Sequence, residues 1–263
     1  MGGAGEQELI GRFRAARRDP SLAVIEGFHA LKHALRFGAE IVSIAAAEPE
    51  RLDELAGELA PDLAGSMARR ATAVDGATLA ELVPQAPRTG VVALARRPAV
   101  DVDAALADPR PAPVVLLEDP RTMGNMGACV RVAAAADAAA VLTTGSNDPW
   151  HPDALRGAAG LHFALPVAAL AQNLCIGQEK RQAGLDELAR SGRPLVAIDP
   201  EGEDVHTTEL PPRAILAFGT ERHGLSDALL TRADAHLAIP MRAGVSSLNL
   251  ATAVAAVLFA RRL

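Results

Sequence analysis

The feature that most constrains this chain is the regular alternation of short apolar runs with helix-like segments through its second half. From residue 113 the order is "PVVLLED", "GNMGACVRVAAAAD", "AAVLTTG", "PDALRGAAG", "FALPVAAL", "QEKRQAGLDELARSG", "RPLVAID", "RAILAFG", "SDALLTRAD", "AHLAIP", and a final apolar segment from Leu248 to Arg262. The short runs read as strands and the longer segments as helices. Strands that alternate with helices form a mostly parallel sheet covered on both sides. "PVVLLED" has no polar residue until its end, as a strand buried on both faces requires. Ligands of such sheets bind beyond the carboxyl ends of the strands. That rule points at the loops after Glu118, Gly219 and Pro240.

The first half reads as a smaller α/β domain. Residues 1–20 are charged and glycine-containing, and are expected to be a tail or loose helix. In "SLAVIEGFHALKHALRFG", Ala30, Leu31, Ala34 and Leu35 fall on one helical face and Gly38 is a natural C-cap. "EIVSIAAA" and "TGVVALARRP" read as strands, "PERLDELAGELA" as an amphipathic helix, and "RATAVDGATLAELV" as strand, turn and helix. Pro98, Pro109, Pro111 and Pro113 mark a semi-rigid connector. The expected boundaries are therefore a tail at 1–20, a domain at 21–98, a linker at 99–112 and a second domain at 113–263.

Composition sets limits on function. The 263 residues are 49% apolar with no tyrosine, so the core must be built from Ala, Val, Leu and Ile. The net charge of −6 argues against a non-specific nucleic-acid coat, because phosphate binding is driven by Lys and Arg. Two cysteines, Cys129 and Cys175, suit a reducing compartment. The start lacks the apolar core of a signal peptide. The most apolar run, Leu248 to Ala260, falls short of the ~20 residues a bilayer span needs. The expectation is a cytoplasmic protein without membrane or metal partners.

Each of the three loops admits two readings from its residues alone. In "EDPRTMGNMGACVR", Asn125 can cap a helix and Arg131 can be a surface cation. Equally, Gly124 and Gly127 allow close backbone approach to a ligand. The string does not fit the G-x-G-x-x-G of dinucleotide binders, which disfavours a nucleotide-dependent oxidoreductase. In "AFGTERHGLSD", Ser226 can cap the next helix, while Gly219 and Gly224 bracket Thr220 and Glu221 just beyond a strand end. In "PMRAGVSSLNL", Ser246 or Ser247 can cap the last helix with Asn249 in support. That helix is apolar almost all round, so its unpaired N–H groups need partners from the loop or from a ligand.

Taken together and in order, "NMGACVR", "FGTERHGLS" and "IPMRAGVSSLNLATAVA" resemble the three motifs of the SpoU (TrmH-like) RNA 2′-O-ribose methyltransferases of the SPOUT class. This likeness covers roughly residues 113–263. "VIEGFHALKHALRFG" and "TGVVALA" are similar to the family's N-terminal RNA-binding extension. The resemblance implies an α/β fold with a trefoil-knotted SPOUT methyltransferase domain behind a smaller N-terminal α/β RNA-binding domain. It also implies S-adenosylmethionine as cofactor, RNA as partner and a homodimer. rRNA is the expected target, with tRNA or an antibiotic-resistance rRNA site as alternatives. A non-catalytic RNA-binding or ribosome-assembly protein is the contrasting reading.

By the same resemblance, Asn125, Arg131, Glu221, Ser247 and Asn249 are catalytic. Gly219, Thr220, Glu221, Gly224, Leu225, Ile239, Met241 and Leu248 hold the cofactor. A guanidinium, with a pKa above ~12, is a poor base. Arg131 is therefore expected to position the hydroxyl or a neighbouring phosphate and to stabilise developing negative charge. "LRGAAG" carries Ala158 where many relatives place serine.

Overall fold

In the computed structural model, which describes residues 3–170, 178–220 and 223–260, the chain divides into two units. One comprises residues 1–99 and 150–164, the other residues 100–149 and 165–263. The first unit is built on β1 (Leu22–Glu26), β2 (Ile41–Ala46), β3 (Ala71–Ala73) and β4 (Val91–Arg96), in the order β1-β4-β2-β3. β4 runs antiparallel to β1 and β2, and β3 is parallel to β2. Successive side chains on a strand point to opposite faces, and this sheet uses both. Val91, Ala93 and Ala95 join a core with Phe28, Leu31, Ile44, Leu52 and Met67. Val92 and Leu94 join a second core with Leu9, Phe13, Val24, Leu79 and Leu82. The first face is covered by α2 (Phe28–Arg36), α3 (Pro49–Leu59) and α4 (Ser66–Arg70), the second by α1 (Gly3–Ala16) and α5 (Gly76–Leu82).

Where a tail or loose helix was expected, residues 3–16 form a helix packed into the core of this unit. Leu9, Ile10, Phe13 and Ala16 recur at helical spacing and are all buried, with Phe13 fully so. The charged residues between them masked that stripe in the sequence. As expected, α2 buries Ala30, Leu31 and Ala34, and Gly38 follows it at φ 75°.

The second unit begins inside the expected linker. Asp101 caps α6 (Val102–Ala107), its carboxylate accepting from the Ala104 amide at 3.0 Å. The prolines flank this helix, so the stretch is ordered structure and not a spacer. Arg193, only 5% exposed, holds it in place. Its guanidinium donates to the carbonyls of Leu106 (2.5 Å), Asp108 (2.8 Å), Ala112 (2.9 Å) and Arg213 (3.2 Å). Burial lowers the Arg193 pKa below its ordinary value, with the Arg213 charge adding to the effect. Arg193→Met should cost about 3 kcal/mol in a urea titration, because carbonyls in a dry site would lose their donors. A loss under about 1 kcal/mol would show that water replaces the guanidinium.

The sheet of this unit has the order β10-β8-β9-β5-β6-β7, with all neighbours parallel. The chain runs β5 (Val114–Leu117), α7 (Met123–Ala135) and β6 (Ala140–Thr143). Residues 150–164, carrying α8 (Pro152–Gly157), then belong to the first unit, although the sequence places them within 113–263. There the Arg156 guanidinium donates to Glu26 of β1 at 2.7 Å, and Arg17 donates to the same buried carboxylate at 3.1 Å. The Ala159 carbonyl accepts from Nδ1 of His33 at 2.7 Å. Burial keeps the His33 pKa below the ordinary imidazole value, so the ring is neutral at pH 7 with its proton on Nδ1. Ala158 is fully buried.

The second unit resumes with β7 (Val167–Ala169), α9 (Gln178–Arg190), β8 (Leu195–Asp204), β9 (Ile215–Phe218), α10 (Asp227–Arg232), β10 (Ala235–Ala238) and α11 (Leu250–Ala260). β5, β6 and β9 are buried at every position. From β5 the chain steps to β6 and β7 on one side, then crosses to β8, β9 and β10 on the other. The switch point lies between β5 and β9, which places their following loops beside each other.

Candidate active site

The loop after β5 is tied to the loop after β9 by a residue the sequence reading passed over. Glu118, buried to 8% exposure, accepts from the Ser226 amide at 2.7 Å and from the Ser226 hydroxyl at 2.6 Å. Ser226 also caps α10, with its Oγ accepting from the Leu229 amide. The serine-cap reading therefore holds, and the cap also fastens two loops together. The acidic "LLED" at the end of a buried strand was the available signal.

The second loop closes on itself. Thr220 and Gly224 exchange backbone hydrogen bonds at 2.9 and 3.2 Å, and the His223 amide donates to the Thr220 hydroxyl at 3.2 Å. Gly219 lies directly against the Gly224 carbonyl, where no Cβ fits. Leu225 does not line the cavity that the neighbouring glycines wall. It is buried at 5% exposure in the core beside Leu229, where it anchors the end of the loop. Glu221, assigned to both catalysis and cofactor binding by resemblance, lies outside the described residues.

In the third loop, Asn249 caps α11, where Ser246 or Ser247 was expected. Its Oδ1 accepts from the amides of Ala251 (3.0 Å) and Thr252 (3.4 Å), and its carbonyl accepts from the Ala253 amide. The same side chain then reaches across the unit. Its Nδ2 donates to Oδ1 of Asn125, at the start of α7, at 3.1 Å. α7 and α11 pack against one another, so two asparagines separated by 124 residues meet at one hydrogen bond. Arg131 sits further along α7, exposed, and among the described residues it makes no ion pair.

The second and third loops, with the end of β8 and the start of α11, wall a cavity of about 280 Å³. Gly219, Thr220, Gly224, Ile239, Met241, Ser247 and Leu248, all singled out from sequence, line it. Phe218, Ser246, Leu250 and Ala253 line it too and are neighbours of assigned positions. Ile198, Asp199 and Pro200 come from an element the sequence did not implicate. β8 is longer than "RPLVAID" suggested. Its pairing with β10 jumps from Ala197 beside His236 to Glu203 beside Leu237, so residues 198–202 have no partner in that ladder, and Gly202 packs directly against the backbone of His236 and Leu237. A proline and a glycine inside a strand run, as in "IDPEG", are the signature of such a bulge.

A parallel α/β sheet with a largely apolar cavity beyond the carboxyl ends of β8 and β9, walled by loops with exposed backbone, has the form of a small-molecule site. Residues 112–259 match the model of the SpoU rRNA Methylase family. The 23S rRNA (adenosine(1067)-2′-O)-methyltransferase of Streptomyces azureus is 27% identical over 262 residues, covering 97% of this chain and 91% of that protein. The 23S rRNA (uridine(2479)-2′-O)-methyltransferase of Streptomyces viridochromogenes is 32% identical over 151 residues, covering 55% of this chain, which thus spans about half the length of that relative (50%). The fold is that of the SpoU methyltransferase AviRb from Streptomyces viridochromogenes, crystallised with the cofactor AdoMet. The two agree with a TM-score of 0.73 at 24% identity over 98% of this chain and 97% of that one. The chain belongs to the SpoU rRNA methylase family.

The Asn249–Asn125 bond makes a first test of the site possible. Asn249→Ala should lower stability by about 1 kcal/mol, the usual cost of a lost N-cap. It should lower methyl transfer by a far larger factor, because the bond to α7 is lost with the cap. Asn249→Ser keeps a capping oxygen without the amide donor. Recovery of stability with no recovery of turnover is the expected outcome, read by thermal melts and tritium transfer. If turnover follows stability in both variants, Asn249 is only a cap.

Proposed function

We propose that this chain transfers the methyl group of S-adenosylmethionine to the 2′-hydroxyl of a ribose in rRNA, acting in the cytoplasm as a homodimer. The single observation that carries the reading is that the second and third motif loops wall one cavity, while the first is tied to the third by the Asn249–Asn125 hydrogen bond. The cavity suits an adenosyl group. It offers apolar walls from Phe218, Ile239, Met241, Leu248 and Leu250, with backbone exposed at Gly219 and Gly224. Ile239, Met241 and Leu248 would hold the adenosyl group, with Gly219, Thr220 and Gly224 beneath it.

The cofactor, when bound, supplies a methyl group already activated on a sulfonium. The protein's task is then to orient a weakly acidic hydroxyl and help it lose a proton. Ser247 and Asn249 would face the ribose, with Asn125 fixing the Asn249 amide. Arg131 would hold the hydroxyl or an adjacent phosphate and stabilise the charge that develops on oxygen. Glu221 belongs to this reading by its motif position alone.

The remaining assignments rest on smaller observations. Residues 21–98 would supply the RNA contact, since His29, Lys32 and Arg36 of α2 stand outside its buried stripe. A dimer surface is supported by α11, where Thr252, Ala255, Ala256 and Phe259 fall at i, i+3, i+4 and i+7 on its less buried side, with Phe259 40% exposed. The last strand and helix, with their loop against the cavity, would complete the trefoil knot. The test is incubation with tritiated cofactor and separate rRNA and tRNA, followed by mapping of ribose methylation. Label in neither RNA would overturn the reading, and label in tRNA alone would move the substrate.

A further inference from the structure

Among the described residues lining the cavity, Asp199 alone carries an ionisable side chain. All the other lining groups are apolar, hydroxyl or glycine. Its position follows from the bulge in β8, where residues 198–202 leave the ladder with β10. The carboxylate is fixed in place: Oδ1 accepts from the Glu201 amide at 2.9 Å, closing an Asx turn. Oδ2 has no partner among the described residues.

Resting on the S-adenosylmethionine reading above, we infer that Asp199 is a specificity-determining residue that favours the sulfonium cofactor over the thioether product. The argument is one of charge. S-adenosylmethionine carries a sulfonium, an ammonium and a carboxylate, for a net charge of +1. Its product has lost the sulfonium charge and is neutral overall. The two are otherwise alike in adenine, ribose hydroxyls and amino-acid end. A cavity of about 280 Å³ is no wider than roughly the 8 Å Debye length at physiological ionic strength. A single carboxylate in its wall is therefore felt throughout it, and apolar walls screen it less than water would. Fixed negative charge strengthens binding of the cation and leaves the neutral product nearly indifferent.

The device addresses a general difficulty of methyl transfer. Product and cofactor share almost every contact, so contacts alone hold both. A site that also reads net charge releases what it has used. The exposed acids beside it, Glu201 and Glu203, lie outside the lining.

The experiment is isothermal titration calorimetry of the full-length protein with S-adenosylmethionine and, separately, S-adenosylhomocysteine. Asp199→Asn keeps the oxygen that accepts from the Glu201 amide and removes only the charge. It should weaken cofactor binding about tenfold while changing product affinity less than about twofold. The cofactor's loss should shrink as salt rises. Glu201→Gln, outside the lining, should leave both constants within about twofold. Equal losses for both ligands in Asp199→Asn would mean a contact to a shared group and would overturn the proposal alone. An equal shift of the ratio in Glu201→Gln would overturn the assignment to Asp199. No binding of either ligand by the wild-type protein would overturn the cofactor reading itself and the proposal with it.

Discussion

Arg131→Ala should reduce methyl transfer by about 10³-fold, the scale of removing one preorganised charge-stabilising donor, while the dissociation constant for S-adenosylmethionine stays within about twofold. The two halves of this expectation rest on different observations. The cavity is lined by residues of β8, β9, the loops after β9 and β10, and α11, and Arg131 is not among them. Truncating it leaves the cofactor's walls intact. Yet it projects from α7, the helix that carries Asn125, which bonds Asn249 at the cavity's rim. It is exposed, and among the described residues no carboxylate neutralises it. An anionic phosphate or a developing alkoxide can therefore meet an exposed guanidinium there. Arg131→Lys separates charge from shape, because a point ammonium lacks the planar fork. It should recover only a small part of the lost turnover. Single-turnover transfer to RNA, with calorimetry on the cofactor, reads both quantities. Unchanged turnover in Arg131→Ala would remove the residue from the chemistry.

The parallel sheet was legible because its strands are doubly buried and so read as unbroken apolar runs. β5 and β9 stand out in the sequence for that reason. The three loops were legible because each follows a strand end, where glycine, serine and asparagine have no packing purpose. What escaped has physical causes too. The helical stripe of α1 is narrow and interleaved with charges, so Leu9, Ile10, Phe13 and Ala16 looked like isolated apolar residues. α6 sits between prolines that, read alone, signal a spacer, and it is Arg193, some 80 residues later, that holds it. The bulge of β8 left only the proline and glycine of "IDPEG" as a local trace, because its extent is set by the mismatch of pairing with β10. Residues 150–164 pack with the first unit through Glu26 and His33, contacts that no local pattern encodes. Glu118 was hidden as the polar end of an apolar strand. In each case local pattern identified an element, and only tertiary pairing showed what it was for.

Gly219→Ala should weaken S-adenosylmethionine binding at least about 100-fold and lower the melting temperature measurably. The reason is steric and local. A Cβ on residue 219 would fall within 3.0 Å of the carbonyl carbon and oxygen of Gly224 and the amide nitrogen of Leu225. These are backbone atoms, held by the paired hydrogen bonds between Thr220 and Gly224, so none can swing aside as a side-chain end would. The loop must open. Opening it moves Thr220 and Gly224 out of the cavity wall, and it pulls on Leu225, whose buried side chain fixes the loop to the core. Strain of this kind commonly costs ~1–3 kcal/mol. The bonds from Ser226 to Glu118 lie just beyond Leu225, so the disturbance stops at a second anchor and the sheet should survive. Gly57→Ala in α3 supplies the contrast. Nothing lies within 4 Å of a Cβ there, and alanine in an exposed helix interior should raise stability by about 0.5–1 kcal/mol. Far-ultraviolet circular dichroism, melting and cofactor titration on both variants test the argument. A Gly219→Ala protein that keeps both its melting temperature and its cofactor affinity would show that the loop after β9 yields freely. The wall it forms would then be set by the ligand and not by the fold.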